Sequence, residues 1–131
     1  MSETRVAIHI DADIITARSV GRALAEKIGF TGSEPVIIAT AISEIARNII
    51  EYAKRGEIVV RPMHQGNRRG ILVVAKDRGP GIADIELAMR DGYSTSRGSG
   101  LGLPGARRLM DEFNIDSKIG KGTTVTMKKW V

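Results

Sequence analysis

The chain contains no cysteine. Disulfides, thiolate nucleophiles and cysteine metal sites are therefore excluded. Only two histidines, His9 and His64, stand in the sequence, far apart and without a clustered partner, so a zinc centre is not expected. Aromatic residues make up 4% of the chain, too few for a base-stacking surface on nucleic acid. No apolar run reaches membrane-spanning length. The first residues, "MSETRVAIHIDAD", are charged early and lack the apolar core of a signal peptide. These absences predict a cytoplasmic protein with no nucleic-acid and no membrane partner.

What remains is a chain of 131 residues with 42% hydrophobic side chains, enough for one core. One domain spanning residues 1–131 is expected. The net charge is +5, but the basic residues are scattered as pairs (Arg68-Arg69, Arg107-Arg108, Lys128-Lys129), which reads as a solvated surface.

Alternation of Val6, Ile8 and Ile10 predicts a half-buried first strand. A helix follows, with Asp11 or Asp13 as its cap and Ala17, Val20, Leu24 and Ile28 as its apolar stripe. A second helix is predicted with Ser33 as cap, Pro35 in its first turn and Gly56 as its stop. Its buried stripe is Ile38, Ile42, Ile45 and Ile49. "GEIVVRPM" and "RGILVVAKD" read as strands joined by the polar turn "HQGNRR". A short helix over residues 85–89 and a longer one over residues 104–113 are expected, the latter burying Leu103, Ala106, Met110 and Phe113. "FNIDSKIG" and "TTVTMKKW" close the chain as strands meeting at Gly120-Lys121-Gly122. This order predicts an α+β fold, a two-layer α/β sandwich with helices on one face of a mixed, mostly antiparallel sheet.

Gly100-Leu101-Gly102-Leu103-Pro104-Gly105 fits the pattern G-x-G-x-x-G. A dinucleotide fold needs a strand leading directly into those glycines, and here the polar "DGYSTSRGS" precedes them. The V-A-I-K, H-R-D and D-F-G elements of eukaryotic-type protein kinases are missing, and Gly105 is followed by Ala106-Arg107 rather than the Lys-Ser/Thr of a Walker loop. Glycines still let backbone N–H groups approach phosphate oxygens, with the positive end of the following helix behind them. Two companions share the chain. Glu44 and Asn48 are four apart on one helical face, a carboxylate able to take a proton and an amide oxygen suited to Mg²⁺. In "AKDRGPGI", Asp77 ends an apolar strand beside the glycines Gly79 and Gly81.

The ordered set "ISEIARNI", "AKDRGPGI", "GSGLGLPG" and "GKGTTVTM" resembles the N, G1 and G2 boxes and closing Gly-Thr strand of the GHKL ATPase/kinase superfamily, whose fold is the Bergerat sandwich. "TAISEIARNI", "DRGPGI", "DGYSTS" and "GLPGARRLMDEF" resemble more narrowly the RsbT-type serine/threonine kinases of bacterial stressosomes. That resemblance implies ATP and Mg²⁺ as cofactors. It implies phosphorylation of a STAS-domain partner, followed by release of the kinase to activate a downstream regulatory enzyme, commonly a phosphatase.

Residue by residue, the resemblance makes Glu44 the general base and Asn48 the Mg²⁺ ligand. Asp77 accepts the adenine amino group, above Gly79 and Gly81. Gly98, Gly100, Gly102 and Gly105 form the phosphate-side loop, with Ser99, Leu101 and Leu103 between them. Ser94, Thr95 and Arg97 belong to an ATP lid over residues 91–99. Ser96 stands where many superfamily members carry a lysine, which makes Arg97 the nearest candidate cation for the γ-phosphate. One hydroxyl of Thr123 or Thr124 supports the Asp77–adenine contact. The rival expectations are an anti-sigma factor kinase that also holds a sigma factor, a docking module without turnover, and a free-standing ATPase.

Overall fold

The computed structural model describes residues 3–82, 89 and 102–131. The expected helix at 85–89 lies, but for Met89, outside the described residues, and so does the lid at 91–99. The elements run β1 (Thr4–Ile8), α1 (Asp11–Ile28), α2 (Glu34–Tyr52), β2 (Gly56–Gln65), β3 (Arg68–Asp77), α3 (Gly102–Leu109), β4 (Glu112–Lys118) and β5 (Gly122–Trp130). The five strands form one sheet in the order β1-β2-β3-β5-β4, with every neighbouring pair antiparallel. The helices cover one face, so the architecture is the expected α+β sandwich.

Strand parity explains the layering. Successive side chains alternate faces, and Val6 and Ile8, Ile58 and Val60, Ile71, Val73 and Ala75, and Val125 and Met127 all fall on the face beneath the helices and are buried. Helix α2 meets them with Ile38, Ile42, Ile45 and Ile49, each at most 2% exposed. Helix α1 packs on α2 at Gly21, where a Cβ would strike the Ile42 side chain. Its buried stripe is Ile14, Ala17, Gly21, Ala25 and Ile28, with Val20 and Leu24 only half-buried at its border.

Several element ends differ from expectation. Ile10 occupies the N-cap of α1, and Asp13 in the first turn reaches back to accept the backbone N–H groups of His9 (2.8 Å) and Ile10 (2.9 Å). Those two bonds, Ile10 first, hold the Asp13 carboxyl below its usual range. Ser33 makes no capping bond, because its backbone is already helical (φ −84°, ψ −6°). Helix α2 stops before Gly56: Tyr52 is its last residue, Lys54 takes φ 75°, and Gly56 opens β2. The β2–β3 hairpin is longer than expected, with His64 and Arg69 still in register and Gly66-Asn67 as the turn.

Helix α3 ends at Leu109, and Phe113 belongs to β4. Lys129 reinforces that ending. Its ammonium, on the helix side of the sheet, donates to the Leu109 carbonyl (3.2 Å) and lies 3.7 Å from both Glu34 and Asp111. A cation at a helix C-terminus satisfies carbonyls the helix leaves free. Trp130 packs against Gly70 and under the Arg68 guanidinium, 4.2 Å from the ring centre, as a packing residue. No helix among the described residues is long and apolar enough to cross a membrane.

Candidate functional site

Among the described residues, Glu44, Asn48, Asp77, Gly79 and Gly102 come together at the C-terminal half of α2. The same helix that buries its isoleucines carries Glu44 and Asn48 one turn apart beside them. Glu44 is 4% exposed. Its Oε2 accepts the N–H of Gly102 at 2.9 Å, and its Oε1 lies 3.4 Å from Arg47. The carboxylate thus sits at the positive end of α3 and anchors Gly102 to α2. Asn48 is half-buried, and its amide has no hydrogen-bond partner among the described residues.

Asp77 closes β3 and comes to the same helix from the sheet. A Cβ on Gly56 would lie 3.1 Å from the Asp77 Cβ and 3.0 Å from Ile49. The Gly79 backbone rests against Ala53 at the end of α2. Asp77 Oδ1 accepts two backbone N–H groups, from Gly79 at 2.9 Å and from Thr123 at 3.2 Å. Its Oδ2 has no hydrogen-bond partner among the described residues.

The turn after Asp77 is locked to the β4–β5 hairpin. Gly81 (φ 80°) lies against the Lys118 carbonyl and Gly122 (φ 105°) against the Asp77 carbonyl, so a side chain at either would collide with backbone. Gly120 donates to the Pro80 carbonyl at 2.8 Å. Ile82 donates its N–H to Ser117 Oγ at 2.8 Å, and Ser117 Oγ stands 2.7 Å from Thr123 Oγ1.

Register separates the two threonines. Thr123 pairs with Asp77 across the strands and shares its face, buried at 6% exposure. Thr124 pairs with Lys76 on the opposite face, so its hydroxyl cannot support Asp77. Leu103 is buried, as its place in the apolar stripe predicts. Its side chain joins the core, leaving only its backbone for a ligand. Gly105 is buried within α3. Ser94, Thr95, Arg97, Gly98, Ser99, Gly100 and Leu101 lie outside the described residues. Ser117 was absent from the sequence reading. Its signal was parity: Phe113, Ile115, Ser117 places a hydroxyl where an inward apolar residue is due.

No group of three metal-ligating side chains exists among the described residues. Mg²⁺ keeps waters and substrate phosphates as ligands and needs few from the protein. An amide oxygen such as that of Asn48 is a suitable hard donor.

The histidine kinase-like ATPase domain model matches residues 11–129. The chain is 46% identical over 96% of its length, and 95% of the relative's, to the serine/threonine-protein kinase RsbT of Bacillus subtilis (strain 168). The chain belongs to the histidine kinase-like ATPase domain family, among its RsbT-type serine/threonine kinases. Protein serine/threonine kinase activity and ATP binding go with that membership. The anti-sigma F factor of Thermoanaerobacter sp. (strain X514) is 36% identical over 88% of this chain and 83% of its own. In fold, the chain is similar to the mycobacterial sensor histidine kinase MprB, at a TM-score of 0.58 and 15% identity over 98% of this chain and 97% of the other.

Proposed function

We propose that this kinase transfers the γ-phosphoryl group of ATP to a serine or threonine of a STAS-domain partner. Once released from that partner, it activates a downstream regulatory enzyme. The observation that carries the reading is the convergence on α2. Glu44 holds the Gly102 N–H from one side, and Asp77 reaches the same helix from the other with Oδ2 open.

Asp77 Oδ2 accepts the adenine amino group, and the glycine turn beneath it lets a flat base approach. Gly102, at the N-terminus of α3, takes the phosphate side. Asn48 would hold Mg²⁺, which supplies charge neutralisation on the phosphates when bound. Glu44 takes the proton of the attacking hydroxyl. Phosphoryl transfer needs little beyond such positioning and charge.

Transfer of label from γ-labelled ATP to a STAS protein encoded nearby tests this. Asn48→Ala is expected to abolish transfer while the protein still melts cooperatively. Full transfer by a folded Asn48→Ala protein contradicts the assignment, and label appearing only as free phosphate moves the protein to the ATPases.

Likeness to anti-sigma F factors across most of the chain favours one second reading, a kinase that also holds a sigma factor. Sigma factor retained on the immobilised protein would support it, and its absence would leave the switch kinase.

A further inference from the structure

We infer that Ser117 sets which purine base the site accepts, acting through Thr123. The inference rests on the ATP-site reading above. Ser117 Oγ makes three contacts: Ile82 N–H at 2.8 Å, the Gly122 carbonyl at 3.2 Å and Thr123 Oγ1 at 2.7 Å. A serine hydroxyl has one hydrogen and two lone pairs. The Ile82 N–H can only donate, so it takes one lone pair. The Gly122 carbonyl can only accept, so it takes the hydrogen. One lone pair remains for Thr123, and the Thr123 hydroxyl must therefore donate to Ser117.

That direction has a consequence one strand away. With its hydrogen spent on Ser117, Thr123 Oγ1 presents only lone pairs elsewhere. Asp77 is its cross-strand neighbour on the same face and also presents an acceptor, Oδ2. The two make an acceptor-only edge. At the exocyclic position a 6-amino purine meets it with hydrogens, whereas a 6-oxo purine meets it with another acceptor and carries a donor only at N1. Sites whose polar groups match one partner reject the isostere that leaves them unmatched. Ser117 is a positioning residue here: it touches no substrate and fixes the polarity of a residue that does.

ATP and ITP differ in this respect and share their phosphates, so their dissociation constants, measured by calorimetry on the full chain, read the edge directly. The native protein is expected to prefer ATP. Ser117→Ala frees the Thr123 hydrogen to turn toward a 6-oxo group, and the ATP/ITP preference should fall on the order of tenfold. Ser117→Thr keeps the hydroxyl and should keep the preference. Thr123→Val removes the same acceptor without Ser117, and the double variant should lose no more than either single one. Equal weakening of both nucleotides in Ser117→Ala would reduce Ser117 to a structural bolt and overturn the inference. An unchanged preference in Ser117→Ala and Thr123→Val overturns it as well. If the native protein binds ATP without preference over ITP, the inference fails alone; if it binds neither, the ATP-site reading fails with it.

Discussion

Glu44 holds two positions at once, and two substitutions separate them. Its Oε2 accepts the Gly102 N–H, which is structural, and as a carboxylate it can take a proton, which is chemical. Glu44→Gln keeps an oxygen for Gly102 and loses the base. Transfer to the protein substrate is expected to fall by about 10²–10⁴-fold in single-turnover assays, with the melting temperature nearly unchanged. Glu44→Ala also leaves the buried Gly102 N–H without its acceptor, which should cost a further ~1–3 kcal/mol of stability. Full transfer by Glu44→Gln would leave Glu44 only the anchoring role. Spacing had placed Glu44 and Asn48 correctly on one face of α2, because helical periodicity depends on local sequence. It could not show the Gly102 bond, which joins residues 58 apart.

The elements that hold Asp77 are β3, its turn and the β4–β5 hairpin, and Gly122 is where they touch. A Cβ there would enter the Asp77 carbonyl, and Gly122 already has φ 105°. Gly122→Ala should therefore cost ~1–3 kcal/mol in strain and weaken nucleotide binding by on the order of tenfold or more. Gly66→Ala is the control. It shares a positive φ, 62°, but has open space around it, so it should lose some stability and leave binding intact. Equal binding losses in both would mean that Gly122 acts through general stability and not through Asp77.

At this scale the sequence was a good guide to which segments are helix or strand and a poorer guide to their ends. Phe113 fits a helical stripe with Leu103, Ala106 and Met110, yet it enters β4, since a helical spacing and an inward strand position look alike over one residue. Thr124 was weighed equally with Thr123 because only the register with β3 fixes which of the two faces Asp77. Strand parity alone marked Ser117 as an inward hydroxyl, and only the hairpin shows that its partner is Thr123.

On the scale of the whole molecule, the site has no separate scaffold. The face of α2 that builds the core also fixes the direction of Glu44 and Asn48, and the sheet under it delivers Asp77 and Thr123. A nucleotide that touches α2, β3 and β5 together must therefore stabilise the entire fold, by an amount set by its affinity. At a hundredfold excess over the dissociation constant the gain is about 2.7 kcal/mol. For a chain of this size that corresponds to a rise in melting temperature of roughly 10 °C. Mg²⁺ alone should give almost none of it, since a single amide donor such as Asn48 binds the ion well only when phosphates complete its shell. The expected pattern in a thermal scan is therefore a large shift with ATP and Mg²⁺ together, a smaller one with ATP and a chelator, and none with Mg²⁺ by itself. Asn48→Ala should bring the first value down to the second, while Asp77→Asn should lower both. A full shift from Mg²⁺ alone would reveal a preformed metal site, and Asn48 would then not be its sole protein ligand.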